Sequence, residues 1–86
     1  MENVTIENLT DGYKETYYYI QGVINYYEEN YRLSYKFFLN QLTFVKNNLM
    51  KARANHNTAI CLYKMRRTDK SIRYAVESLS RYPLQY

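Results

Sequence analysis

The sequence predicts a small all-α domain, and two features favour helices. Two glycines and one proline interrupt 86 residues, too few for the turns of a β-sandwich. Apolar residues recur every three or four positions from Tyr13 to Ala52, as on the buried side of helices. The chain is also short enough to form one domain only. We therefore expect a helical hairpin or bundle of three to four helices, at about 12–29, 31–54, 58–67 and 69–82 of a single domain 1–86.

The first ten residues precede any clear helical pattern. Val4, Ile6 and Leu9 stand among polar neighbours there. A short strand, a helix start or a loose arm would each fit this pattern, and the sequence leaves the three open.

The first predicted helix has apolar residues in steps of four and three, the spacing of a heptad seam. Its members are Tyr13, Tyr17, Ile20, Ile24, Tyr27 and Tyr31. We expect this seam to be buried. Two successive steps of four, from Tyr27 through Tyr31 to Tyr35, interrupt this rhythm, which fits either a stutter in one long helix or a turn. A single helix over 13–54 would be about 60 Å long, so we favour a break near Asn30 and an antiparallel hairpin.

Two further breaks are predicted in the second half of the chain. Polar turn formers cluster in "ANHNT", 54–58, where Thr58 would cap a short helix. Thr68 or Asp69 would cap the last helix, which Pro83 ends. The apolar stripe of that helix is formed by Ile72, Val76 and Leu79. A continuous helix would instead place Asp69 on the buried stripe, and an unpaired buried carboxylate is costly, so we favour a break.

The charge is unevenly distributed along the chain. Residues 1–45 hold six acids and three bases, whereas residues 46–86 hold nine bases and two acids. The C-terminal half therefore attracts acidic partners. A polar start argues against a secretory leader, no apolar run approaches the length of a membrane span, and a lone Cys61 forms no internal disulfide. We expect a cytoplasmic protein without a membrane partner.

The inventory of reactive residues argues against an enzyme. One histidine and one cysteine, His56 and Cys61, supply neither a metal-ligand set nor a catalytic triad. We expect His56 at a turn or helix end and Cys61 in the core. Adjacent Glu28 and Glu29 point about 100° apart on a helix and cannot flank a substrate. We expect no cofactor, no metal and no catalytic residue.

Some tyrosines are left over after the seam is assigned. Tyr18, Tyr19 and Tyr26 lie on another face of the first helix, around Gly22. These four residues are the predicted partner-binding site, because tyrosine is enriched at protein interfaces and glycine permits close approach. The alternative is that these rings cover another helix of the same chain.

A second predicted surface is basic. It comprises Arg66, Arg67, Lys70, Arg73 and Arg81, with Tyr63 and Tyr74 nearby on a helix. Such a mixture can bind nucleic acid or an acidic protein, and it can also be a solvated face.

These features favour a function in binding. We expect a small non-enzymatic protein that docks on a larger host protein and modulates or inhibits it sterically, itself a homodimer. Frequent Asn, Lys, Tyr and Ile fit an AT-rich source such as a phage or mobile element. The alternatives are a nucleic-acid-binding protein that uses the basic half and a structural protein that self-assembles.

Overall fold

A computed structural model describes residues 5–81 and contains four α-helices in that range. They are α1 (Asp11–Tyr27), α2 (Tyr31–Phe44), α3 (Asn48–Lys64) and α4 (Thr68–Arg81), and a 3₁₀ turn at Ile6–Asn8 precedes them. The predicted all-α class is confirmed. The first four residues of the predicted arm, the predicted helix end at 82 and the Pro83 stop lie outside the described residues.

Each helix packs on its neighbours in sequence. α1 contacts α2, α2 contacts α3 and α3 contacts α4, so α1 and α4 are the two outer helices. Linkers at 28–30, 45–47 and 65–67 make successive helices antiparallel. The resulting array measures 46 × 32 × 17 Å, and its thin dimension leaves much of each outer helix uncovered.

A left-handed residue that is not glycine ends α1. Glu29 has φ 63°, and its N–H donates to the Tyr26 carbonyl at 3.0 Å. The N–H of Asn30 donates to the Asn25 carbonyl at 2.8 Å, which completes the hydrogen-bond pattern of a Schellman motif. The break expected near Asn30 is confirmed.

The turn from α3 to α4 repeats this geometry. Arg66 has φ 62°, and the N–H of Arg67 donates to the Leu62 carbonyl at 2.8 Å. α4 then begins at Thr68. The break expected near Asp69 is therefore confirmed, and the continuous-helix alternative is wrong.

The predicted helix 31–54 is wrong in its C-terminal part. α2 ends at Phe44, and α3 already begins at Asn48. Asn47 caps α3, because its side-chain oxygen accepts the N–H of Met50 at 2.9 Å.

The break predicted at 54–58 is also wrong, since α3 runs through this segment. Asn55 Nδ2 donates to the Lys51 carbonyl at 2.9 Å, and Thr58 Oγ1 donates to the Ala54 carbonyl at 2.7 Å. These polar side chains bond back into their own helix and do not cap a new one. His56, expected at a turn or helix end, lies exposed within α3.

Small and polar side chains form much of the interior. The buried apolar residues are Phe38, Val45, Ala52, Ala54, Ala59, Cys61 and Leu62, and the buried polar residues are Asn25, Ser34, Gln41, Asn55, Thr58 and Ser78. Small residues let helix backbones approach closely, so the hydroxyls can reach carbonyls on neighbouring helices. The prediction that Cys61 lies in the core is confirmed.

Candidate interaction surfaces

α1 packs on α2 through its glycine. A β-carbon built on Gly22 would lie 2.5 Å from Phe38 Cε1, so only glycine fits under this ring. Tyr19 also faces the ring, with 6.5 Å between the two centroids. The close approach that Gly22 permits is therefore made by a residue of the same chain.

Ser34 joins three helices at this point. Its hydroxyl donates to the Gly22 carbonyl of α1 at 2.7 Å, and it lies 3.2 Å from the Cys61 sulfur of α3. Because the one hydroxyl proton is used on the carbonyl, the Cys61 thiol is the donor to Ser34. Burial raises the pKa of this thiol.

The four residues of the predicted partner-binding site separate into different environments. Gly22 is buried, and Tyr18 is half-buried with its ring stacked on Phe44 at 5.9 Å. Tyr19 and Tyr26 instead line a groove of about 340 Å³ between α1 and α3, floored by Phe38. The structure thus brings two of the four together on an accessible surface. Their role in binding a partner stays a prediction.

The expected burial of the α1 seam is wrong for four of its six residues, whereas Tyr17 and Tyr31 are half-buried. Tyr13 and Tyr27 are 69 % and 80 % exposed, and Ile20 and Ile24 between them are 47 % and 44 % exposed. These four residues, which we call the outer α1 face, are exposed, and Tyr27 also lines the α1–α3 groove. The glycine face is the one that packs, because it alone lets α2 approach closely.

α4 also packs by its polar side and exposes its apolar side. Two serines bond it to α3: Ser71 Oγ donates to the Ala59 carbonyl and Ser78 Oγ to the Ala52 carbonyl, each at 2.8 Å. The predicted apolar side of the helix remains in water. Ile72, Val76 and Leu79, the outer α4 face, are 56 %, 59 % and 74 % exposed.

A basic cleft lies where α2, α3 and α4 meet. Two adjoining cavities of about 260 and 220 Å³ share Tyr35 and Lys70 as lining residues. The basic cleft is defined by five cations and two rings: Arg32, Lys36, Arg67, Lys70, Arg73, Tyr35 and Tyr74. Burial, with the neighbouring Tyr74, raises the pKa of Tyr35, and Arg67 acts in the opposite direction.

The predicted basic patch is only partly assembled in this cleft. Arg67, Lys70 and Arg73 line it. Arg66 lines a separate shallow depression near Tyr63, and Arg81 is held by Glu77 at 2.8 Å. A single basic surface along the whole segment therefore does not form.

Sequence reasoning missed two cations and one ring of the cleft. Arg32, Tyr35 and Lys36 belong to the half of the chain that has a net negative charge. Their i, i+3 and i+4 spacing on one helix was the available signal. Their approach to α4 depends on how α2, α3 and α4 pack, which spacing alone does not give.

Two other kinds of feature are absent from residues 5–81. No cluster of three or more His, Cys, Asp or Glu side chains there is placed to hold a metal ion. None of the helices in this range combines the length and apolarity needed to cross a membrane.

Comparison of the chain with protein-family models, with curated proteins and with solved structures gave no significant match. The candidate functional surfaces are the two outer faces, the α1–α3 groove and the basic cleft.

Proposed function

We propose that this chain acts by binding another protein, with the outer α1 and outer α4 faces as its contact surfaces. The observation that carries the proposal is the orientation of the two outer helices. Both turn small or polar residues inward and leave large apolar side chains in water. Burying such a side chain stabilises a complex by about 1.5–3 kcal/mol when the burial is complete, so contiguous exposed groups mark association sites.

The spacing of these residues fits recognition of a helix. Ile20, Ile24 and Tyr27 follow one another at i, i+4 and i+7 on α1. Ile72, Val76 and Leu79 repeat the same spacing on α4. This is the pattern of anchors by which one helix enters a groove or packs on another helix.

Tyrosines at both ends of the outer α1 face suit a surface that must also exist without its partner. Tyr13 and Tyr27 each offer a large ring for contact and a hydroxyl that water can solvate. The expected action is steric: the chain, from a phage or mobile element, occupies a surface of a larger host protein and so modulates or inhibits it.

Affinity capture with paired variants tests this proposal. The tagged chain is compared with Ile20→Ser/Ile24→Ser and Ile72→Ser/Val76→Ser, using lysate of cells that naturally produce the chain. Leu33→Ser is the matched control, because Leu33 is an exposed apolar residue of α2 outside both faces. Proteins lost with a face variant and kept with the control support the proposal. An identical captured set for all four chains contradicts it.

Self-association is a second candidate, favoured by the charges beside the two faces. Residues 7–29, which include α1, hold five acids and one base, whereas residues 64–81, which include α4, hold six bases and two acids. An outer α1 face on the outer α4 face of a second copy would join opposite charges and cover both apolar stripes.

Sedimentation velocity over a range of protein concentrations tests this second candidate. The expected result is a dimer that dissociates in the Ile72→Ser/Val76→Ser variant and weakens as salt rises, since exposed charges are screened. A monomer at every concentration would exclude self-association and leave the protein-partner proposal standing.

A further inference from the structure

The basic cleft carries more positive charge than its surroundings neutralise. Glu77 is the acidic residue among its lining side chains, and the Glu77 carboxylate is bonded to Arg81 at 2.8 Å. Within residues 5–81, none of the five cleft cations has a carboxylate within 4.0 Å. Like charges gathered in a concave site raise the local potential and attract a polyanion.

Aromatic rings lie among these cations. Tyr35 and Tyr74 are half-buried and line the same cavity as Lys70 and Arg73. Burial raises the pKa of Tyr35, so its phenol remains neutral at physiological pH. A neutral planar ring beside Lys and Arg can stack on a nucleobase while the cations bind phosphates.

We propose that the basic cleft binds single-stranded nucleic acid. Arg67, immediately before α4, and Lys70 and Arg73 on α4 extend over about 9 Å at 1.5 Å per residue, which accommodates a short stretch of extended backbone. Arg32 and Lys36 face this row from α2. An acidic peptide would satisfy the charges but has no base to place on the tyrosine rings.

This proposal is independent of the protein-partner function. The basic cleft shares no residue with the outer α1 or outer α4 face, although α4 contributes residues to the cleft and to the outer α4 face. Nucleic-acid binding by the Ile72→Ser/Val76→Ser chain should therefore equal that of the unaltered chain.

Fluorescence anisotropy with labelled single strands is the test. The probes are oligothymidylate and oligouridylate of about 15 nucleotides, within the range of known single-strand site sizes. If three to five phosphates are neutralised, raising NaCl from about 50 to 200 mM should weaken binding roughly 20- to 100-fold. An equally charged oligoglutamate serves as competitor.

Two triple variants of equal charge make the test specific. Arg32→Gln/Lys36→Gln/Arg73→Gln removes three cleft cations, and Lys51→Gln/Arg53→Gln/Lys64→Gln removes three cations of α3 outside the cleft. We expect the first to weaken binding at least tenfold more than the second. Tyr74→Leu should weaken binding by roughly 5-fold or more, since stacking on one ring contributes about 1–3 kcal/mol.

Three outcomes would overturn the proposal. Absence of binding at the lower salt concentration would exclude it directly. Equal loss in both triple variants would show attraction by net charge without a site. Displacement by oligoglutamate as effective as by unlabelled oligothymidylate would assign the cleft to acidic proteins. Circular dichroism of each variant verifies that the helices are intact.

Discussion

The ring of Phe38 lies where a side chain at position 22 would begin, with Phe38 Cε1 2.5 Å from a β-carbon built on Gly22. Phe38 is itself buried, so the ring cannot move aside freely. This contact fixes the face of α1 that packs on α2, and it accounts for a glycine in the middle of a helix.

Gly22→Ala should destabilise the protein by about 1–2 kcal/mol. Alanine gains about 1 kcal/mol in helix propensity, but overpacking against a buried ring costs about 1–3 kcal/mol, and the clash here is severe. Gly12→Ala is the control, because no atom lies within 4 Å of a β-carbon at Gly12. Urea unfolding followed by circular dichroism should show loss in the first variant alone. Equal stability of both variants would refute the contact.

A double-mutant cycle isolates the Gly22–Phe38 contact. Phe38→Leu makes room over position 22 at the expense of some buried area. The double variant Gly22→Ala/Phe38→Leu should therefore lose less stability than the sum of the two single losses. Strict additivity would mean that the alanine methyl group meets something other than this ring.

Glu29→Gly should stabilise the protein by about 0.5–1 kcal/mol. Glu29 has φ 63°, and an L-residue in the left-handed region costs about 1–2 kcal/mol, of which glycine's backbone entropy cancels part. Glu28→Gly removes the same charge at φ −85°, where glycine relieves no strain, and should not stabilise. Thermal and urea unfolding compare the two. A gain of similar size in both variants would assign the effect to charge.

Replacing Leu62 of α3 and Leu79 of α4 by alanine should change stability to very different extents. Leu62 is 2 % exposed and Leu79 is 74 % exposed. Leu62→Ala should cost about 2–5 kcal/mol of unfolding free energy, whereas Leu79→Ala should change it by less than about 0.5 kcal/mol. The measurement requires a concentration at which the chain is monomeric. A large loss from Leu79→Ala under that condition would mean that α4 packs by its apolar side.

Stability should decline as pH rises above about 8.5, the ordinary pKa of a thiol. Burial raises the pKa of Cys61, so the unfolded chain releases this proton at lower pH than the folded chain does. The contribution of Cys61 to the free energy of unfolding is thus fully present below the pKa that the thiol has in the unfolded chain. It is lost as pH rises toward the higher pKa of the thiol in the folded chain. The raised pKa of Tyr35 adds a second decline of stability above about pH 10, because the unfolded chain again releases the proton at lower pH than the folded chain.

Urea midpoints measured across this pH range test the assignment. Cys61→Ala lowers stability at neutral pH but should remove the first decline and keep the second. Tyr35→Phe should remove the second decline and keep the first. A first decline that persists in Cys61→Ala would assign the pH dependence to another group.

The sequence was sufficient for the helical class and for two of the three breaks. Turns at Asn30 and Asp69 followed from spacing and from the cost of burying a carboxylate. The break before Asn48 was missed because Asn55 and Thr58 resembled turn formers, while their side chains bond within α3. Local composition does not distinguish a polar residue that caps a helix from one that bonds back into it.

Which face of a helix packs was harder to predict than the helix itself. On α1, Tyr13, Ile20 and Ile24 form one helical stripe, and the residues around Gly22 form another. Hydrophobicity favoured the first, yet the second packs because glycine and Ser34 allow close approach and a hydrogen bond. On α4, the hydrogen bonds of Ser71 and Ser78 to α3 likewise determine which face packs.

The order of packing also has a kinetic consequence. Because every extensive interface joins helices that are adjacent in the chain, native contacts close short loops, and the low contact order favours fast folding. α4 is held on one side, chiefly by α3, and should open before the inner helices in native-state hydrogen exchange. Each opening of α4 would separate Lys70 and Arg73 from Arg32 and Lys36. The basic cleft is therefore complete only while α4 remains packed on α3.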